Sequence, residues 1–324
     1  MYKDSQFDVL VIGTTCIDLV FSHMPNWPMP GDQFGVKKFA AHCGAVFNVA
    51  ATASRLGLRV GLLTILGNDF LSRFILEEID KVGISRDFVI VQDEPLRAIS
   101  TCLAYDGDRA IVSYEDIADA TLVYLLDALS SEKPTSKQIR EKVVALLNTS
   151  QFAATYISAQ ASIGPLLDLL AERQTTIFMD PGGEINNLRD SRLPAVLQRA
   201  HVIMPNQREA MYLTNIEEPE GAARKLNEWV NDVIVTVGER GTVACHQGQM
   251  IHCPAYPIAE VVDTTGAGDA FCGGFMYGWV KGYTFHDALR CGNICGSLST
   301  TALTGTAAIP TAKQLEIYLQ QEPG

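Results

Sequence analysis

Six apolar, strand-like runs, DVLVIG (8–13), VGLLTIL (60–66), FAATYIS (152–158), TTIFMD (175–180), HVIMP (201–205) and VIVTV (233–237), alternate along the chain with helical patterns. The helical patterns fall at Ala45–Leu56, Phe70–Val82, Lys137–Leu147 and Gly221–Trp229. Strands apolar on both faces need cover on both sides, and a helix between successive strands makes their pairing parallel. The alternation therefore predicts a sheet covered by helices on both faces. Two stretches break it: Val20–Ala41, rich in Pro and Gly, and Leu96–Tyr114, which reads as a β-hairpin around Asp106-Gly107-Asp108. With 324 residues, 47% of them hydrophobic, the chain can fill one large core and carry a small accessory element. It contains no internal repeat and no low-complexity linker, so the two irregular stretches read as insertions into one domain spanning 1–324.

The run VVDTTGAGDAFCGGF, Val261 to Phe275, carries the chemistry. Ile258 to Val262 is expected to end a strand and Ala270 to Trp279 to form a buried helix. Between them, Gly266, Ala267 and Gly268 let the chain turn tightly and bring bare N–H groups close to a ligand. The first N–H groups of a helix lack helical partners, and the dipole adds roughly half a positive charge there. Phosphate is the natural guest. Asp269 then lies in the first turn. A carboxylate beside an anion site repels its ligand, so its presence suggests a task such as accepting a proton from an attacking hydroxyl. An Asp in a first helical turn is also a common cap. Seven specified positions, D-T-T-G-A-G-D, are too many for chance at ordinary residue frequencies. There is no G-x-x-x-x-G-K-[ST] loop, and no complete G-x-G-x-x-G follows a strand.

This run resembles the C-terminal signature, D-T-x-G-A-G-D before a small-residue helix, of the ribokinase-like (PfkB) carbohydrate kinase family. The resemblance implies a ribokinase-like three-layer α/β/α sandwich with a central, mostly parallel sheet and a small β-sheet lid. It makes Asp269 the catalytic base and Gly266, Ala267 and Gly268 the anion hole for the transferred phosphoryl group. Near the start, VLVIGTTCIDLVF looks like the family's first strand and its sugar-contacting aspartate, here Asp18. HCGAVFNVAATASRLG resembles the N-terminal signature, with Gly44 as its second glycine and Asn48 as the sugar-binding Asn. Cys43 stands where the first glycine is usual, the bulky Phe47 occupies a place that is often smaller, and LGNDFLSRF has Ser72 where G-x-D-x-x-G ends in glycine. These departures bear on the shape of the sugar pocket.

The second half carries the nucleotide side of the resemblance. IMPNQREA matches N-x-x-E, so Asn206 and Glu209 are expected to organise Mg²⁺, mostly through water, and the phosphates of ATP. Magnesium characteristically keeps several waters beside one or two oxygen ligands. TVGERG matches T-x-G-x-x-G, which places Thr236, Gly238 and Gly241 at the nucleotide, and Asn293 resembles the adenine-side Asn. Taken singly, N-x-x-E is as readily a solvated helix start and the glycines a turn; their order before GAGD favours the nucleotide reading. The resemblance also implies a monovalent cation, K⁺, near Asp263 and Thr265. It joins the insertions at about 20–41 and 96–114 into a lid that excludes water and forms a homodimer interface.

A net charge of −12 argues against nucleic acid or an anionic membrane as partner. ATP would have to arrive with its magnesium. The N-terminus reads as neither signal peptide nor anchor, and no apolar run reaches bilayer length, which points to a cytoplasmic enzyme. The eight cysteines form no C-x-x-C. Cys272, Cys291 and Cys295 read as small core residues, Cys43 as a residue at the substrate, and His42 as a turn residue rather than half of a His–Cys catalytic pair. A neutral sugar is the first reading of the acceptor, because Phe39 to Asn48 offers only His42 as a cation and Glu115 and Asp116 follow the lid strand. A nucleoside is the second, because Phe47, Phe34, Phe39 or Tyr105 could stack on a base. The reading from another class is a ligand-binding or regulatory protein that kept the fold without turnover.

Overall fold

The computed structural model describes residues 7–321 apart from 106–107, 119, 132 and 183–184. Its strands are β1 (Val9–Ile12), β2 (Thr15–Ser22), β3 (Lys38–Ala45), β4 (Val60–Leu66), β5 (Val89–Val91), β6 (Ala98–Tyr105), β7 (Asp108–Glu115), β8 (Ala154–Ser158), β9 (Thr176–Asp180), β10 (Val202–Ile203), β11 (Asp232–Thr236), β12 (Thr242–His246) and β13 (Gln249–Cys253). Each of the six expected strand runs coincides with or overlaps one of these. The four expected helices appear as Val46–Arg55, Phe70–Lys81, Pro134–Thr149 and Pro219–Asn227.

Nine strands form the main sheet in the order β13-β12-β11-β10-β9-β8-β1-β4-β5. It is parallel from β11 through β5, and β12 and β13 extend it antiparallel. All four residues of β1 are buried, and they face opposite ways. Val9 and Val11 pack into one core with helices Val46–Arg55, Ala267–Val280 and Phe285–Ser299, whereas Leu10 and Ile12 pack into a second core with helices Ala120–Ser130, Gly164–Ala171 and Pro219–Asn227. Alternate side chains of a strand point to opposite faces, so a strand apolar throughout is what two covering layers require. The result is three layers, helix, sheet and helix.

The remaining strands form a small sheet in the order β3-β2-β6-β7, in which β2 and β6 are parallel and both edges antiparallel. The first irregular stretch proves too short, since β2 already begins at Thr15 and β3 runs on to Ala45, whereas the second matches closely, with β6 beginning at Ala98 and β7 ending at Glu115. The hairpin between β6 and β7 is present, with Tyr105 opposite Asp108; the expected turn residues Asp106 and Gly107 lie outside the described residues.

The strand expected at Ile258–Val262 does not form. Pro254 and Pro257 remove two donors just before it, and the N–H groups of Val262 and Asp263 both turn to the carbonyl of Thr300 instead of a neighbouring strand. The helix after it does form, over Ala267–Val280.

Candidate active site

In an open parallel sheet, ligands gather at the carboxyl ends of the strands. Ser158 ends β8, Asp180 ends β9 and Thr236 ends β11, and all three line one cleft of about 720 Å³. Asn206, just beyond β10, and the turn residue Gly238 line it as well, and so do Gly266, Ala267, Gly268 and Asp269 at the head of helix Ala267–Val280. Segments separated by more than a hundred residues thus meet around one space.

The helix head is built for a close approach. Gly266 caps it in the left-handed region, at φ 75°, and a side chain added at Gly268 would meet only open space. Ala267 N–H is drawn into the turn, donating to the Thr264 carbonyl at 3.3 Å. Asp269 sits in the first turn, and its Oδ2 accepts a hydrogen bond from Asn48 Nδ2 at 3.2 Å. Asn48 is itself in the first turn of helix Val46–Arg55, 1% exposed, and is brought there by a sharp bend at Ala45, whose φ of 53° is rare for a residue with a side chain. Two helix heads therefore converge on Asp269.

Across the cleft, Asn206 and Glu209 form a reciprocal capping box. Asn206 Oδ1 accepts from Glu209 N–H at 3.0 Å, while Asn206 N–H and Nδ2 donate to the two Glu209 carboxylate oxygens at 2.8 and 2.6 Å. Burial, and next the charge of Asp180, push the Glu209 carboxyl well above the usual carboxylate range, opposed by the hydrogen bonds from Asn206. Burial likewise raises Asp180, opposed by the Gly182 N–H that donates to its Oδ1 at 2.7 Å. Asp180, Glu209 and Asp269 make the cleft acidic, and Arg208 is the one cation among the described lining residues. A polyphosphate can enter such a cleft only with cations of its own.

Residues 6–312 match the pfkB family carbohydrate kinase family. The chain belongs to that family. It is a kinase, a phosphotransferase with a hydroxyl acceptor on a sugar or nucleoside. The kinase is 30% identical over 289 residues to a cytidine kinase of Thermococcus kodakarensis, covering 88% of this chain and 93% of that protein. It is 26% identical over 298 residues to a 2-dehydro-3-deoxygluconokinase of Bacillus subtilis, covering 86% of each. Among solved structures, Arabidopsis thaliana ribokinase complexed with ribose and ATP shares its fold, with a TM-score of 0.78 at 21% identity over 98% of this chain and 99% of that one.

Not every expected residue of this kinase lies on the cleft. Asp18 and Gly44 stand together on the small sheet, where strand register pairs Cys16 with Gly44 and Asp18 with His42 on one face. Gly241 closes a turn against the backbone of 253–255 rather than lining the cleft. Asn293 is buried and donates through Nδ2 to the carbonyls of Cys253 and Pro254, both at 3.0 Å, and so pins that loop beside a separate hollow. Asp263 accepts from the N–H groups of Thr265 and Thr304 at 2.9 and 3.3 Å, and the Thr265 hydroxyl is buried with no hydrogen-bond partner.

Several sequence readings are corrected. Cys43 is fully buried in the core on the face opposite His42 and Gly44, so it does not meet a substrate bound at Asp18. His42 is not a turn residue but part of β3. Phe47 is 2% exposed and cannot stack on a base, Phe39 packs on Phe21 on the opposite face from Asp18, and Tyr105 packs on Trp27. Asp116 is held by Arg97 in a two-point salt bridge, which lowers its carboxyl far below the usual range. All eight cysteines are buried, and none is in a disulfide. Asp180, Tyr156 and Arg208 were missed; for Asp180 the signal was present, an acid ending an apolar strand at its carboxyl edge. No helix among the described residues is long and apolar enough to cross a membrane.

Proposed function

We propose that this kinase transfers the γ-phosphoryl group of ATP to a hydroxyl of a neutral sugar. The observation that carries the reading is Asp269, held by Asn48 at the head of a helix that opens on the acidic cleft. A hydroxyl brought to Asp269 Oδ gives up its proton as its oxygen attacks the phosphoryl group. The transition state is loose, so the proton leaves late and an ordinary carboxylate suffices as base. The backbone at Gly266 and Gly268 stabilises the charge that develops on the phosphoryl oxygens, and the Ala267 N–H joins it by leaving its long 3.3 Å bond to the Thr264 carbonyl. Thr236 and Gly238 receive the nucleotide, and Asn293 with Gly241 shapes the loop that borders it.

The donor set fits Mg²⁺. Asp180 and Glu209 would supply two oxygen ligands; burial raises both carboxyls, and the charge of Asp180 raises Glu209 further, so a cation between them would be favoured, while both Glu209 oxygens are already held by Asn206, which suits contact through water. When bound, Mg²⁺ neutralises charge on the β- and γ-phosphate oxygens. The partnerless Thr265 hydroxyl beside Asp263 suits K⁺ in the same way. In this reading the small sheet is a lid over the acceptor that excludes water, inserted into a single domain. Its outer face exposes Phe39, Val112 and Tyr114 at 56, 67 and 54%, apolar cover that suits a second copy of the chain.

The wall around Asp18 supports a neutral acceptor. Ser100, Ser113 and Glu115 share its face by register and add hydroxyls and a second carboxylate. A nucleoside is the second reading, favoured by the likeness to a cytidine kinase. The test is ADP release with Mg·ATP against neutral sugars, sugar acids, sugar phosphates and nucleosides, beside Asp269→Ala. Turnover on one class, lowered about 10²-fold or more in the variant with ATP binding retained, is expected. Silence with ligand binding intact supports the non-catalytic alternative, and a fully active variant removes Asp269 from its role.

A further inference from the structure

His42 is one residue on β3 whose chemistry the mechanism above leaves unused. It is 7% exposed, and its Nδ1 lies 2.7 Å from the Cys43 carbonyl oxygen. A carbonyl only accepts, so Nδ1 carries the proton and Nε2 presents a lone pair in the neutral ring. That Nε2 is buried with no hydrogen-bond partner. Leaving a buried polar atom unmatched is unfavourable unless something supplies the partner. The nearest charged neighbour is Asp18 Oδ2 at 4.0 Å, beyond hydrogen-bond reach, and an unprotonated Nε2 has no proton to offer it. The two atoms lie on the same face of the small sheet, in register across β2 and β3.

We propose that His42 Nε2 is a specificity-determining acceptor that, with Asp18, reads a vicinal diol on the acceptor substrate. This deepens the reading that the substrate lies against Asp18. Two acceptors 4.0 Å apart on one wall match two donors side by side, and adjacent ring hydroxyls, with oxygens about 3 Å apart, supply them. One hydroxyl donates to Asp18 and the other to Nε2. The substrate class is thus an acceptor with a vicinal diol, in preference to the deoxy counterpart that lacks one of the two hydroxyls; ribose and a ribonucleoside against their 2-deoxy forms probe it directly. A site built to hydrogen-bond a hydroxyl rejects the analogue that lacks it, because the buried acceptor is then left unpaired.

The experiment compares ribose with 2-deoxyribose, and one ribonucleoside with its 2′-deoxy form, in wild type, His42→Asn and His42→Gln. Asparagine can keep the donation to the Cys43 carbonyl and lacks the Nε2 acceptor, whereas the glutamine amide oxygen reaches the Nε2 position. The expected wild-type preference for the diol in kcat/KM is about tenfold or more. It falls to near unity in His42→Asn, with the change carried by KM rather than kcat, and is partly restored in His42→Gln. A ratio unmoved in His42→Asn overturns the proposal and makes His42 structural. Loss of preference for an amino-bearing base instead assigns Nε2 to the base and overturns it equally. If the wild type turns over nothing, the kinase reading has failed on its own, and calorimetric titration of ribose and 2-deoxyribose into the same three proteins still decides whether His42 reads the diol.

Discussion

Gly44→Ala is the most direct probe of the proposed acceptor wall. A Cβ built on Gly44 falls 2.0 Å from Asp18 Oδ2 and 2.4 Å from its Cγ. Ordinary contact between such atoms is about 3.5 Å, so the carboxylate must retreat by roughly 1.5 Å. It cannot do so without cost, because Asp18 is 6% exposed and its Oδ1 also accepts from Cys16 Sγ. Overpacking of this kind destabilises by about 1–3 kcal/mol. A hydrogen bond from a substrate hydroxyl to a charged group contributes about 1.5–3 kcal/mol, so misplacing Asp18 lowers kcat/KM for the acceptor by roughly 10- to 10²-fold. The loss falls mainly on acceptor KM, since the nucleotide side is untouched. ADP-release kinetics at saturating Mg·ATP, with thermal unfolding as the control for folding, measures both effects. A folded variant whose acceptor KM stays within about twofold of wild type, at unchanged kcat, would refute the placement of the substrate against Asp18.

The Asp180 and Glu209 pair makes stability depend on pH in a defined direction. Both folded-state carboxyls are raised, so the folded protein holds protons that the unfolded chain gives up from about pH 4. Their contribution is full below that range and is lost as pH rises through the raised values, so the Tm gap between Glu209→Gln and wild type widens in favour of the variant from pH 5 to 8 without Mg²⁺; a constant gap refutes the cost of ionising this buried pair. Addition of Mg·ADP raises Tm for wild type more than for Glu209→Gln, read in the same assay, because a ligand that binds only the folded state stabilises it. Gly273→Ala puts a Cβ 2.6 Å from Thr52 Cβ and 2.9 Å from the Val49 carbonyl, which forces helices Val46–Arg55 and Ala267–Val280 apart at a cost of about 1–3 kcal/mol in chemical denaturation; unchanged stability refutes the close packing of that pair.

What the sequence by itself determined was local. The six apolar runs specify strands because only cover on both faces suits a segment apolar throughout, and the core clusters on either side of β1 are its direct consequence. The GAGD run and N-x-x-E are equally local: a glycine cap and a reciprocal box of hydrogen bonds three residues apart need no distant partner to take their shape. Tertiary structure decided what faces what. His42, Cys43 and Gly44 are consecutive, yet one lies in the core and two face Asp18, because a strand alternates sides and the register with β2 selects which side meets Asp18. Ile258–Val262 had strand composition and no strand beside it to pair with, so its amides went to Thr300. Asp180 became part of the site only when β9 came to lie between β8 and β10, and Asn293 went to the loop at Cys253 because helix Phe285–Ser299 packs over it. Pairing, register and the meeting of chain ends far apart in sequence depend on contacts between segments, and no window along the chain contains them.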